Sequence, residues 1–265
     1  DGFMTIARLQ EGLGIGKGEL KEKQIVLPSY RALYLDQMVR EEGGIAFYRD
    51  SLYKAVVRGM KSVADSDFEI PASFQGELRE YQQTGYRWLR TLDHWGFGGI
   101  LADDMGLGKT VQILPAVAAL RASGASVGPV LVVAPTSVVG VWAEQAAKFT
   151  PFLRVRCIVE TAARRGTTIT SQVQDCDIVV TSYTLARLEA DQWSGVALAG
   201  VVIDEAQAVK NPRTATYRAL RDMDAPWRLA VSGTPIENSL GDLWSLLSLT
   251  CPGLLPGWDT FTQKV

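Results

Sequence analysis

With 265 residues, 47% hydrophobic and 21% charged, the chain has the material for one large core or two unequal ones, which excludes a disordered or low-complexity protein. Lys plus Arg number 27 against 29 for Asp plus Glu, a net charge of −2, so bulk charge cannot hold a nucleic acid and any such partner must meet a local surface. Cys157, Cys176 and Cys251 lie far apart with no C-x-x-C pair, no apolar run reaches the roughly 18 to 20 residues of a membrane span, and "DGFMTIARLQ" lacks the regions of a signal peptide. These features predict a reducing, cytoplasmic setting without a zinc site or a membrane contact.

The first stretch, "GLGIGKGELKEKQ", is glycine-rich and then charged; it reads as a turn, and its spacing is not the dinucleotide fingerprint. Beyond Pro28, Ser29 is placed to cap a helix whose Tyr30, Leu33, Tyr34 and Met38 share one face, stopped by Gly43 and Gly44. A second stripe, Leu52, Tyr53, Val56, Val57 and Met60, predicts another helix, and "VADSDFEIPASFQG" reads as a linker. Residues 1–70 are thus expected to form a small helical module and residues 71–265 a separate lobe. In that lobe an amphipathic "LREYQQTGYRWLRTL" precedes six runs, "GGILA", "PVLVVA", "VRCIV", "DIVVT", "GVVI" and "RLAV", separated by helical stretches. Short unbroken apolar strands between helices predict an α/β fold, a parallel sheet covered on both faces. Pro115 falls inside the helix expected after Lys109 and withdraws a backbone donor, which predicts a kink near Thr110 and Val111.

Small polar residues follow five of these strands: DDMGLGKT, PTS, SY, DEAQ and SGTP. In an open parallel sheet those loops share the carboxyl edge, where ligands bind. "GGILADDMGLGKT" ends as a phosphate-binding loop does, except that Asp103 stands where the pattern G-x-x-x-x-G-K-[ST] has glycine. Such a loop needs exposed backbone N–H groups, a helix N-terminus aimed at phosphate, a lysine for the β and γ oxygens and a hydroxyl for magnesium, and Gly106, Gly108, Lys109 and Thr110 supply them. Asp103 is expected at the loop's entrance because aspartate accepts left-handed backbone more readily than most residues. Asp204 ends "GVVI" as a magnesium-holding carboxylate must, and Glu205 follows as a candidate to orient or deprotonate water.

Other patterns carry less. "GASVG", residues 124 to 128, matches the nucleophile elbow but precedes a strand, and the lone His94 lies upstream of Ser126, against the order of an esterase. His94 itself reads as a surface or capping residue. Lys148, Arg154, Arg156, Arg164 and Arg165 make a modest basic cluster that is either a solvated face or a phosphate contact.

From about Glu77 to Pro252 the motifs, in order, resemble those of the SWI/SNF-like DNA-dependent ATPases of helicase superfamily two, bacterial branch. "LREYQQTGYRWL" is similar to that family's adenine-reading element, which implies Gln82 as the adenine contact. "ILADDMGLGKT" resembles motif I, with Met105, Gly106, Leu107, Gly108, Lys109 and Thr110 around the nucleotide; the family tolerates an acid at the position of Asp103. "LVVAPTSVVGVWAEQAAKF" is similar to motif Ia and "VVTSY" to the next DNA-side element. Pro135, Thr136, Ser137, Thr181 and Ser182 are thereby implied to face a nucleic-acid backbone. "VIDEAQAVKN" resembles motif II, adding Gln207 to Lys109, Asp204 and Glu205 as catalytic, with Thr110 and Asp204 on the metal. "LAVSGTPIENSLGDLWSLL" resembles motif III, implying coupling through Ser232, Gly233 and Thr234, where Ser232 replaces the more usual threonine but keeps a hydroxyl.

The resemblance implies a RecA-like lobe using ATP and Mg2+, a double-stranded-DNA partner held weakly by this lobe alone, and a cytoplasmic, nucleoid-associated monomer. It also implies a second RecA-like lobe with arginines for the γ-phosphate, which nothing in the 265 residues supplies, so the chain is expected to be a fragment with little activity of its own. An RNA-remodelling ATPase and a nucleotide-binding scaffold stay open as alternatives.

Overall fold

Six short apolar runs form six parallel strands in the computed structural model, which describes residues 51–61, 66–124, 127–237, 239–255 and 257–264. The strands are β1 (Gly99–Leu101), β2 (Val130–Ala134), β3 (Val155–Ile158), β4 (Ile178–Ser182), β5 (Gly200–Asp204) and β6 (Arg228–Val231), in the order β1-β6-β5-β2-β4-β3. The helix expected from Ser29 and the Ser126 of "GASVG" lie outside the described residues.

The helices are α1 (Ser51–Lys61), α2 (Glu80–Trp95), α3 (Lys109–Ala122), α4 (Thr136–Phe149), α5 (Ala162–Arg165), α6 (Ile169–Val173), α7 (Tyr183–Leu188), α8 (Ala190–Trp193), α9 (Ala215–Asp222), α10 (Leu240–Thr250) and α11 (Trp258–Lys264). Helix α1 buries Val56 against Leu92 and Phe97. Helix α2 stops where Gly96 takes φ 67°, the left-handed turn that lets the Phe97 N–H reach back to the Leu92 carbonyl. Helix α3 continues unbroken through the buried Pro115, whose missing N–H leaves the Val111 carbonyl without its usual partner.

Strand alternation divides the core into two layers. Val130, Val132, Ile178, Val180 and Val202 pack with Ile113, Leu114, Val117 and Trp142 on one face. Leu131, Val133, Val179, Val201 and Ile203 pack with Ile169, Trp193, Tyr217, Leu220 and Leu246 on the other. Burial on both faces is why β2, β4 and β5 read as continuous apolar runs instead of alternating ones, while the edge strand β3 leaves Arg156 exposed.

Register then places the loops. Leu101 is paired with Val231, and Val231 with Asp204, so β1, β6 and β5 release their chains at one level. Their carboxyl ends span about 10 Å, two interstrand spacings. Ala134 opposite Ser182 and Ile158 opposite Thr181 extend the row across β2, β4 and β3.

Candidate functional site

The phosphate-type loop leaves β1 and enters α3 through two left-handed glycines, Gly106 at φ 83° and Gly108 at φ 74°. The Lys109 ammonium donates to the Asp103 and Asp104 carbonyls at 2.8 and 3.0 Å, so two oxygens of its own loop stand where a ligand's anionic oxygens would bind it. Asp103 needs no left-handed backbone: among the described residues Glu205 is the only non-glycine with positive φ. The expectation that aspartate is accepted there for its conformational tolerance is therefore corrected. Its carboxylate is instead used, receiving a 2.7 Å hydrogen bond from Nε2 of the fully buried Gln112.

Gln82 and Tyr81 reach the same loop from α2, each donating to the Leu107 carbonyl at 3.0 Å, while Gln82 Oε1 accepts from the Arg79 N–H. Gln82 Nε2 lies 2.7 Å from where a Cβ on Gly108 would stand, so only glycine lets these groups approach. Met105 is 75% exposed, and its side chain crosses Gly233, where a Cβ would fall 2.9 Å from Met105 Cγ. The Gln82 element, the loop and the β6 exit are thus in contact.

Asp204 is buried at the end of β5. Its Oδ2 accepts from the indole N–H of Trp142 at 2.7 Å and its Oδ1 from the Glu205 N–H at 3.0 Å. Burial raises its proton affinity above the ordinary carboxylate range, while the Trp142 bond and the Lys109 charge pull the other way. Glu205 takes φ 51° and ψ 54°, a left-handed conformation that costs a non-glycine residue energy. Its Oε2 accepts from Gln207 Nε2 at 2.7 Å, and Gln207 Oε1 accepts from Ser232 Oγ at 2.9 Å. Ser232 Oγ in turn accepts from the Thr234 N–H at 3.1 Å. The Lys210 ammonium closes this circuit on the Thr234 carbonyl at 2.6 Å and on Glu237 and Asp242 at 3.1 and 3.4 Å. Sequence reasoning reached the acid pair, Gln207 and Ser232 but not Lys210 or Trp142.

The remaining edge divides. Thr136 and Ser137 are exposed in the first turn of α4, after Pro135. Thr181 and Ser182 are not available as side-chain contacts: Thr181 is fully buried and donates to the Ile158 carbonyl, and Ser182 accepts the Leu185 N–H to cap α7. Their neighbour Tyr183 turns inward and donates to the Asp204 carbonyl at 2.6 Å. In the basic cluster Arg165 pairs with the buried Glu189 at 3.0 Å and the exposed Arg154 with Asp177, while Arg156, Arg164 and Lys148, which lies over the Phe149 ring, are exposed. His94 is exposed at the end of α2, edge-on to Trp95.

A family model described as SNF2-related domain matches residues 81–265, and one described as bacterial SNF2 helicase associated matches residues 1–71. YwqA of Bacillus subtilis is 36% identical over 222 residues, which cover 83% of this chain and 24% of YwqA. The TATA-binding protein-associated factor mot1 of Schizosaccharomyces pombe is 36% identical over 208 residues, 74% of this chain and 11% of its own. Among solved structures, the Sulfolobus solfataricus SWI2/SNF2 ATPase core in complex with dsDNA superposes with a TM-score of 0.66 at 37% identity, covering 74% of this chain and 41% of that one. The chain therefore spans about a quarter of YwqA and two fifths of the Sulfolobus core. Its sheet has the RecA-like fold, and the chain belongs to the SNF2-related ATPases of helicase superfamily two, in their bacterial branch.

Proposed function

We propose that this chain is the ATP-binding first lobe of a motor that hydrolyses ATP to move along double-stranded DNA. The observation that carries this reading is one row of strand ends joining Lys109, Ser232 and Asp204, with Glu205 bonded through Gln207 to Ser232. Lys109 is set to exchange its two carbonyl partners for phosphate oxygens, and the turn at Gly106 and Gly108 leaves backbone N–H groups for the same anion. Gln82 bounds the loop on the side where adenine would lie.

Magnesium fits the residues present. Among the described residues no cluster of three His, Cys, Asp or Glu side chains makes a self-sufficient metal centre. A buried carboxylate whose desolvation is only partly offset suits a cation shared with phosphate, and Thr110 and Asp204 would hold it. When bound, the ion neutralises charge on the phosphates. Glu205, oriented by Gln207, takes the proton of the attacking water. The Gln207–Ser232 bond hands the state of that acid to the segment through Thr234 and Lys210. The exposed Thr136 and Ser137, beside Pro135, are offered to a DNA backbone, and the Sulfolobus relative, solved with dsDNA, supports duplex DNA as the strand that meets them.

The test is steady-state phosphate release by the full-length protein with duplex DNA, with RNA and with neither. Duplex DNA is expected to stimulate most; RNA as the stronger stimulant makes it an RNA remodeller, and nucleotide binding without turnover makes it a scaffold. Glu205→Gln keeps the shape and removes the base, so ATP–Mg binding is expected to persist while turnover falls by about 100-fold or more. Near-normal turnover in that variant removes Glu205 from its role.

A further inference from the structure

Two aromatic residues that no part of the nucleotide site requires converge on Asp204 from separate elements. Trp142 lies in α4, the helix whose first turn exposes Thr136 and Ser137, and it is 1% exposed between Val139 and Ala146. Its indole N–H finds one acceptor, Asp204 Oδ2 at 2.7 Å, 62 residues away in sequence. Tyr183 opens α7 directly after Ser182, at the carboxyl end of β4. Its hydroxyl donates to the Asp204 carbonyl at 2.6 Å and reaches the Glu205 carbonyl at 3.4 Å.

The two donors hold different parts of one object. Trp142 fixes the Asp204 carboxylate, whose other oxygen is taken by the Glu205 N–H. Tyr183 fixes the peptide between Asp204 and Glu205, the backbone that carries Glu205 into its left-handed conformation. Such a conformation persists only where neighbours over-determine it. From Ser137 to Trp142 the rise along a helix is about 8 Å, too short for the helix to flex between them.

We propose that Trp142 and Tyr183 are positioning residues that couple occupancy of the DNA edge to the geometry of Asp204 and Glu205. The proposal rests on the reading of Thr136 and Ser137 as a DNA-facing edge. Each acts through the acid pair, by its hydrogen bond to Asp204. DNA that shifts the start of α4 moves the Trp142 hydrogen bond to the Asp204 carboxylate, while the Tyr183 bond keeps the Asp204–Glu205 peptide fixed against that shift, and this gives stimulation a mechanical route inside the first lobe.

The experiment uses the full-length protein with Trp142→Phe, Tyr183→Phe and the pair, measuring kcat and KM for ATP with and without saturating duplex DNA, and DNA affinity separately. The ratio of DNA-stimulated to DNA-free kcat is expected to fall about tenfold in the pair, with KM and DNA affinity changed less than about twofold. A merely structural role would lower both turnover rates by one factor and leave the ratio intact, and that result overturns the proposal, as does an unchanged ratio at unchanged rates. Tyr183→Phe removes a single oxygen and carries the test alone if Trp142→Phe does not fold. Absence of DNA stimulation in the unsubstituted protein instead overturns the functional reading beneath it.

Discussion

Gly85 sits in the interior of α2, where glycine costs about 1 kcal/mol relative to alanine, so a packing reason is needed. A Cβ at this position would fall 1.8 Å from Gln112 Oε1, and the fully buried Gln112 could move aside only by disturbing its hydrogen bond to Asp103. The same glutamine holds Asp103 through its Nε2, while its Oε1 has no hydrogen-bond partner. Gly85 thus permits the approach that fixes the entrance of the phosphate-type loop. Gly85→Ala gains helix propensity but overpacks the contact, for a net loss of about 1 to 2 kcal/mol and a weaker hold on nucleotide. Urea unfolding and titration with a fluorescent ATP analogue read the two effects. A variant more stable than the parent, with unchanged affinity, would show that the helix moves aside freely.

Among elements, Asp177 at the foot of β4 joins three. It accepts from Arg121 at the end of α3 and from the backbone and side chain of Arg154 ahead of β3, while Arg121 also donates to the Gly128 carbonyl before β2. Burial alone would raise its pKa, but the Arg154 hydrogen bonds and the Arg121 and Arg154 charges outweigh it and hold the carboxyl below its usual range. A folded pKa below the unfolded one stabilises the fold above about pH 4, and the contribution is lost as pH falls through the folded value. Arg154 is 59% exposed and its charge is screened, so the weight falls on its backbone N–H and on Arg121. Asp177→Asn is expected to cost about 2 kcal/mol at pH 7, narrowing as pH drops below about 4. Unfolding midpoints across that range decide it; a gap that stays constant with pH removes charge as the cause.

The central strands β2, β4 and β5 were legible because burial on both faces leaves unbroken apolar runs, whereas the edge strand β3, with Arg156 exposed, was legible only as a short stretch rich in β-branched residues between helices. The placement of the Gly106–Thr110 segment and of Asp204 and Glu205 on one edge of the sheet was legible because strand ends must lie on one edge. Thr181 and Ser182 were misread because a hydroxyl at a strand end looks the same in sequence whether it faces solvent or satisfies a buried carbonyl and a helix cap. Trp142 and Tyr183 were invisible as site residues for the complementary reason: buried aromatics read as core, and their partners lie 62 and 21 residues away. The order of strands, with β6 inserted between β1 and β5, was not written in any one strand, yet it is what brings Ser232 between the loop and the acid.

At the scale of the whole molecule the question is what these residues do by themselves. Among the described residues, no arginine joins the hydrogen bonds around Lys109, Asp204 and Glu205. An arginine delivered across an interface neutralises charge that develops only in the transition state and is worth roughly 10³ to 10⁵ in phosphoryl transfer. The 265-residue chain is therefore expected to bind ATP–Mg weakly and to hydrolyse it barely above background. With a net charge of −2 it is also expected to bind duplex DNA weakly, through few phosphate contacts and with a shallow dependence on salt. DNA should leave its turnover unchanged even when bound, because the proposed movement of α4 on Asp204 would align the acid pair without bringing an arginine to the phosphates. Phosphate release by the isolated chain and by the full-length protein, each with and without DNA, checks this. DNA-stimulated turnover in the isolated chain equal to that of the full-length protein would mean that one lobe carries the whole catalytic apparatus and that closure against a second is not part of the mechanism.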